Sequence, residues 1–186
     1  MKRLFIASKI IIDDTFKDLL DNIKFHLKRE IIKWVENENL HITFQFLGDT
    51  DEAMIPEIIS SLNKLQLQAK SFKYQLEGLG VFNSIHNPRV LWIGIKPIDN
   101  LVILKELIDK CLIELDFQFK NEKEFSPHLT IGRIKKIRNI NKLTNTLKYN
   151  QFRHFQEVAV NHINLFESTL TPEGPIYNSL ASVGLR

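Results

Sequence analysis

A four-residue pattern occurs twice in this chain and constrains its fold more than any other feature. Residues 41–44 read His-Ile-Thr-Phe and residues 128–131 read His-Leu-Thr-Ile, so both have the form histidine, apolar, threonine, apolar. They lie in segments 40–47 and 125–134, whose apolar patterning predicts β-strands. Because strand side chains alternate between faces, each histidine shares a face with its threonine, and the apolar residues point the other way. Each strand can therefore bury one side in a core and present an imidazole beside a hydroxyl.

The rest of the sequence predicts strands and helices that alternate along the chain. Further strands are predicted at 4–12, 72–79, 90–95 and 158–168, with a stop at Gly48 and Asp49 and a loop-rich tail after Thr171. Apolar residues at helical spacing predict helices at 15–30, 54–65 and 101–115, the first preceded by N-cap residues and the second with Pro56 in its first turn. This order predicts an α+β protein whose helices pack on a largely antiparallel sheet.

Composition sets broad limits on the class of protein. The 186 residues are 44% hydrophobic and carry a formal net charge of +3, which permits a polyanionic ligand without requiring one. The lone cysteine, Cys111, excludes an internal disulfide and is expected to be a buried thiol on a helix. The apolar start of the chain is interrupted by Lys9, too early for a secretory signal, and no segment is long enough to cross a membrane. We expect a soluble, cytoplasmic monomer.

Two imidazoles and two hydroxyls around one small ligand suit a phosphodiester. A neutral imidazole removes a proton from water, an imidazolium protonates a leaving oxygen, and threonine hydroxyls donate hydrogen bonds to phosphate oxygens. One such tetrapeptide alone would be an ordinary half-buried strand; the repetition favours a site. A zinc site is the rival interpretation, but it needs a third ligand, and neither segment has a carboxylate or cysteine at matching spacing. We therefore expect no metal and no cofactor, and the other four histidines, which lack this pattern, receive no role.

The residues around the two motifs resemble the two-histidine phosphoesterases, and most closely their RNA 2′,3′-cyclic phosphodiesterase branch, also called 2′-5′ RNA ligases. The resemblance runs almost end to end. It rests on residues 3–7, 39–48, 88–92, 125–133 and 168–170, followed by Gly174 and Tyr177.

This resemblance implies a fold and an activity. It implies one bilobal domain over residues 1–186, with two antiparallel sheets and outer helices related by a pseudo-two-fold around a central cleft. It implies metal-independent hydrolysis of the 2′,3′-cyclic phosphate end of an RNA or oligonucleotide to a 2′-phosphate. By resemblance, His41 is the proton donor and His128 the proton acceptor, while Thr43 and Thr130 bind the substrate phosphate; the residues themselves do not decide between the two histidine roles.

Three further residues are candidate substrate contacts: Arg133, Arg89 and Phe82. Arg133 lies five positions after His128, so regular alternation predicts the opposite strand face, and a solvated surface charge is the competing interpretation. Phe5 and Trp92 are assigned to the core by default, and the floor of the cleft is the alternative place for Phe5. One departure from the family is the loop at 81–87, which lacks the proline expected after Phe82.

Two alternative functions remain open at this point. The same acid–base pair run in reverse would join a cyclic phosphate end to a 5′-hydroxyl, as a 2′-5′ RNA ligase. A nucleotide- or RNA-binding module without turnover would use the same cleft to hold a phosphate.

Overall fold

The computed structural model describes residues 1–118, 125–172 and 174–186. The strands are β1 (Lys2–Lys9), β2 (Ile31–Trp34), β3 (His41–Thr50), β4 (Phe72–Ser84), β5 (Asn87–Lys96), β6 (Leu129–Lys136), β7 (His154–Val160), β8 (His162–Leu170) and β9 (Pro175–Gly184). The helices are α1 (Asp14–His26), α2 (Ile55–Asn63), the single turn α3 (Leu65–Gln68), α4 (Asp99–Ile113) and α5 (Ile140–Tyr149). Short 3-10 turns lie at Asn37–Asn39 and Glu52–Met54.

The strands form two antiparallel sheets, which confirms the predicted α+β class. Sheet A has the order β3-β1-β8-β9 and sheet B the order β2-β6-β5-β4-β7. The first motif is therefore in sheet A and the second in sheet B. Two helices pack on the other sheet from the one whose strand they follow. Helix α1 follows β1 of sheet A and packs on β7 of sheet B. Helix α4 follows β5 of sheet B and packs on β3 of sheet A.

Each sheet buries one face against helices. In α1 the Asp13 side chain accepts a hydrogen bond of 2.7 Å from the Phe16 backbone N–H, which confirms the predicted N-cap. Phe16 is fully buried and contacts Phe155 of β7, with ring centroids 5.8 Å apart. In α4 the Cys111 thiol is buried, as predicted, and burial raises its pKa. Burial of these apolar faces orients the opposite face of each sheet towards the cleft.

Two predicted boundaries near the end of the chain are wrong. The segment 158–168 is not one strand, because it breaks at Asn161 between β7 in sheet B and β8 in sheet A. The tail after Thr171, predicted to be loop-rich, forms β9 and pairs with β8 along its whole length. Residues of β9 are mostly exposed or half-buried, so its apolar pattern is weak and its conformation comes from pairing with β8.

The ends of the two motif strands also differ from the prediction. Gly48 and Asp49 do not stop β3, which continues to Thr50. Gly48 has a φ of 71° beside a shift in register with β1, so this glycine serves a β-bulge rather than a turn. In the second motif the strand begins at Leu129, and His128 lies directly before it.

Besides β9, the sequence prediction missed the strand β2 and the helix α5. The strand β2 has only four residues, too few for a clear alternation, and it pairs with β6 at the edge of sheet B. Helix α5 begins after Asn139, whose side chain accepts a 3.0 Å hydrogen bond from the Lys142 backbone N–H. Ile140, Leu143 and Leu147 follow this N-cap at helical spacing, so α5 has a local signal, whereas the four residues of β2 do not.

Candidate active site

The two motifs take the same arrangement on their strands. Ile42 and Leu129, the second residue of each motif, are completely buried, whereas Thr43 and Thr130 are half-buried on the opposite face. This confirms the predicted division of each motif into a core side and a cleft side. Within the described parts of the chain, neither threonine hydroxyl has a protein hydrogen-bond partner, so both are available to a ligand.

Each histidine is fixed by a hydrogen bond from its Nδ1 atom to a backbone carbonyl, and the two bonds are equivalent. His41 Nδ1 lies 2.6 Å from the carbonyl oxygen of Asn39, and His128 Nδ1 lies 2.8 Å from the carbonyl oxygen of Ser126. A carbonyl oxygen only accepts, so each Nδ1 carries a proton and donates it. The Nε2 atom of each ring is thereby left to exchange a proton with a ligand. The carbonyl lies two residues before the histidine in both cases, so the two lobes fix their tautomers identically.

A β-bulge follows the threonine in both motifs. Thr43 pairs with Ala7 and Gln45 with Ile6, which leaves Phe44 as the extra residue of β3. In β6, Thr130 pairs with Trp92 and Gly132 with Leu91, which leaves Ile131 as the extra residue. An extra residue shifts the alternation by one position, so residues beyond the bulge exchange faces.

The bulge at Ile131 brings Arg133 to the cleft. The prediction of the opposite face from regular alternation is therefore wrong, because alternation is interrupted between Thr130 and Arg133. Ile134 is buried while Arg133 is exposed, as the shifted alternation requires. The charge of Arg133 is also close enough to lower the pKa of both His41 and His128. The charge of Arg133 therefore acts on both imidazoles.

Both imidazoles lie in surroundings that disfavour their charged form. Burial lowers the pKa of His41 below its ordinary value of 6.5; the hydrogen bond to Asn39 raises it, and the charges of Arg133 and His128 lower it further. Burial likewise lowers the pKa of His128, opposed by the hydrogen bond to Ser126 and reinforced by Arg133. The effect of His128 on His41 means that the two rings sense each other electrostatically, as two groups facing one cleft would.

Aromatic rings pack against each histidine. His41 contacts Phe5 and Tyr177, with ring centroids 5.2 Å away in both cases, and the Tyr177 ring is perpendicular to the imidazole at 87°. His128 contacts Phe82 edge to face, at 4.6 Å and 87°. Phe5 is buried, but in a small cluster on the cleft face that is separate from the main core. The sequence missed Tyr177 as a site residue, since only its place in the C-terminal family pattern indicated it.

A cavity of about 550 Å³ opens beside His128, within the range of small-molecule sites. Phe82 and Trp92 form part of its wall and lie 5.4 Å apart. The Trp92 ring lies on Gly80, where a Cβ atom would be 2.2 Å from the indole Cζ2. Trp92 is therefore a cleft residue that depends on glycine, rather than the core residue predicted from sequence. A smaller cavity of about 30 Å³ adjoins His41.

The other candidate residues differ in their links to the site. Phe82 contacts His128, and the next residue, Asn83, has a φ of 74°. Proline cannot adopt this φ, which accounts for the missing family proline. Arg89 is exposed at a register shift between β4 and β5, and in the described part of the chain no contact joins it to either histidine.

Residues 1–118, 125–172 and 174–186 contain no group of three or more histidine, cysteine or acidic side chains placed to hold a metal ion. In the same residues no helix combines the length and apolar character needed to cross a bilayer.

Two segments of the chain, residues 11–92 and 99–177, match the family described as LigT like Phosphoesterase. The chain therefore belongs to the LigT-like phosphoesterases, a family within the two-histidine phosphoesterases. The first segment contains His41 and the second contains His128, in agreement with one histidine from each of two related halves.

Relatives and solved structures agree with this family assignment. The chain is 42% identical over 175 residues to the RNA 2′,3′-cyclic phosphodiesterase of Methanocaldococcus jannaschii, covering 94% of this chain and 96% of the relative. It is 39% identical over 177 residues to the enzyme of the same name from Aquifex aeolicus, covering 93% and 90%. A crystal structure of a Thermus thermophilus protein superimposes with a TM-score of 0.80 at 25% identity, covering 99% and 98%. Apo LigT of E. coli, at 19% identity, shares the fold with a TM-score of 0.73 over 99% and 97%.

Proposed function

We propose that this chain hydrolyses the 2′,3′-cyclic phosphate end of RNA to a 2′-phosphate. One observation carries the proposal: two histidines from separate sheets have identical Nδ1–H hydrogen bonds, and both sense the charge of Arg133. Relatives that align along almost the whole chain are named for this activity. Because each sheet supplies one histidine, we propose that residues 1–186 act as one bilobal unit and that a monomer carries the complete site.

The reaction needs one proton acceptor and one proton donor. In our proposal Nε2 of His128 takes a proton from water while the water oxygen forms a bond to phosphorus. The bond from phosphorus to the 3′-oxygen breaks, and Nε2–H of His41 gives its proton to that oxygen. The products are a 2′-phosphate and a 3′-hydroxyl, and the two histidines end in exchanged protonation states. Each acid–base group typically raises the rate of such a reaction by about 10²- to 10⁴-fold.

Three side chains are proposed to hold the phosphate. Thr43 and Thr130 lie on the cleft face two residues after each histidine and donate hydrogen bonds to the non-bridging oxygens. Arg133 supplies positive charge and a planar pair of donors, which suit a phosphate. Phe82 forms part of the wall where the terminal nucleoside binds. This set of contacts stabilises the charge that develops on the phosphate in the transition state.

The lowered pKa values predict the active protonation state. The reaction starts with a neutral acceptor and a protonated donor, and the pKa values of both histidines lie below the ordinary value. At neutral pH most molecules therefore lack the donor proton. We expect a bell-shaped profile of kcat/KM with its optimum on the acid side of neutrality.

The test uses a defined oligoribonucleotide with a 2′,3′-cyclic end, in the presence of EDTA. The expected product is the 2′-phosphate, and His41→Ala and His128→Ala should each lower the rate by about 10²- to 10⁴-fold. His162→Ala is the matched control, because His162 is an exposed histidine at the start of β8. Near-normal hydrolysis by both active-site variants would refute the proposal, and so would a rate restored only by added metal.

A further inference from the structure

Lys33 lies directly beside Arg133 on the cleft face of sheet B. The two residues are cross-strand partners in the pairing of β2 with β6, so their side chains project from the same face. Neighbouring Trp34 packs over Gly132 on the opposite face, where a Cβ would lie 3.3 Å from the indole. The edge strand β2 therefore adds a second cation next to the one that faces both histidines.

The turn between β8 and β9 lies against the end of the Lys33 side chain, so Lys33 is at the junction of the two lobes. A Cβ atom at Gly174, in the hairpin turn, would lie 3.5 Å from Lys33 Nζ. The same hairpin is tied to the loop before His41, because Asn39 Nδ2 donates a 3.3 Å hydrogen bond to the Pro175 carbonyl. Lys33 therefore reaches from sheet B to a turn of sheet A.

A third cation approaches the same region from sheet A. The charges of Arg133 and Arg3 both lower the pKa of Tyr177, although burial raises it overall. Asp49 faces Arg3 across β1 and β3, but among the described residues Lys33, Arg133 and Arg3 form no salt bridge. Like charges directly opposite on neighbouring strands are destabilising. An unpaired Lys33–Arg133 couple is therefore unfavourable unless an anionic ligand binds there.

We propose that Lys33 forms a second phosphate subsite that binds the phosphodiester on the 5′ side of the terminal nucleotide. The inference rests on the proposed function. The cyclic phosphate carries one negative charge, and Arg133 and the two threonines are already sufficient to bind it. The next negative charge of an RNA strand is its neighbouring phosphodiester, one nucleotide away. Lys33 thus makes the enzyme favour oligonucleotides over mononucleoside cyclic phosphates.

The test combines one enzyme change with one substrate change. Two dinucleotides ending in a 2′,3′-cyclic phosphate are compared, one with an ordinary internal phosphodiester and one with an uncharged methylphosphonate in its place. We expect the wild-type protein to favour the charged dinucleotide in kcat/KM by about fivefold, the upper range for an exposed ion pair. Lys33→Gln should remove most of that preference and Lys33→Arg should retain it. Lys148→Gln, on the outer helix α5, is the matched control and should leave the preference unchanged.

The possible outcomes separate this inference from the proposed function. If the wild-type protein hydrolyses neither dinucleotide, the proposed function fails. If it hydrolyses both equally, or if Lys33→Gln slows both by the same factor, the second subsite is refuted while the hydrolase stands. As an independent readout, the slope of log kcat/KM against log salt concentration on an oligonucleotide should be shallower in Lys33→Gln by about 0.7, the contribution of one phosphate contact on a single strand.

Discussion

Replacing Arg133 by glutamine tests the main electrostatic feature of the site. The change removes the positive charge that acts on both histidines and keeps a polar side chain. A cation 4 Å from a phosphate charge contributes about 1 kcal/mol in bulk water and about 4 kcal/mol at an effective dielectric constant of 20. Arg133 is exposed, so the lower part of that range applies, about 1–3 kcal/mol. We expect kcat/KM to fall roughly 5- to 150-fold.

The same substitution should move the pH profile in a defined direction. Burial is the main cause of the lowered pKa of both His41 and His128, and the charge of Arg133 adds to it. Without that charge both pKa values rise, although burial keeps them below the ordinary value. The acid limb, where the acceptor becomes protonated, and the alkaline limb, where the donor loses its proton, should both shift to higher pH.

The assay is kcat/KM for a 2′,3′-cyclic-ended oligonucleotide over a pH series at constant ionic strength. Arg133→Lys is the matched control, because it keeps the charge and loses the planar donor pair. It should keep the wild-type pH limbs while losing part of kcat/KM. If Arg133→Gln leaves both limbs and the rate unchanged, Arg133 does not face the cleft, and the β-bulge at Ile131 does not turn its side chain towards the histidines.

Three further outcomes are expected. Gly80→Ala should displace Trp92, because the added Cβ would lie 2.2 Å from the indole ring. We expect the free energy of unfolding to fall by about 1–3 kcal/mol and the tryptophan fluorescence to change. If neither quantity changes, Trp92 does not pack on Gly80. Leu129→Ala should lower the free energy of unfolding by about 2–5 kcal/mol in urea titrations, since Leu129 is completely buried; a loss below about 1 kcal/mol would place it outside the core. Bound phosphate stabilises both imidazolium ions, so the pH limbs of kcat should lie at higher pH than those of kcat/KM; coinciding limbs would show that the histidines do not face the phosphate.

Local sequence patterns were sufficient for the two motifs. Alternation over a few residues depends only on strand geometry, so the buried positions of Ile42 and Leu129 and the opposite positions of Thr43 and Thr130 followed from their spacing. Long apolar periodicities likewise predicted helices α1, α2 and α4. These features reflect interactions between residues close together in the chain.

Pairing between distant segments decided the remaining features. The continuous apolar run at 158–168 does not indicate the break at Asn161. Residues 175–184 form the strand β9 because they pair with β8. A four-residue strand such as β2 carries too little pattern to be recognised, although it is the strand that brings Lys33 to the cleft. Edge strands are especially hard to predict, because their conformation is fixed by a partner rather than by their own composition.

The order of residues is enough to predict two strands that carry a histidine and a threonine on one face and buried apolar residues on the other. The charges and rings around the two histidines come from long-range contacts. Regular alternation placed Arg133 on the wrong face, because the extra residue Ile131 exists only relative to the neighbouring strand β5. Tyr177 reaches His41 from more than a hundred residues away along the chain, through the pairing of β8 with β9. A face is set by local geometry, whereas a bulge and a convergence of distant side chains are set by long-range pairing.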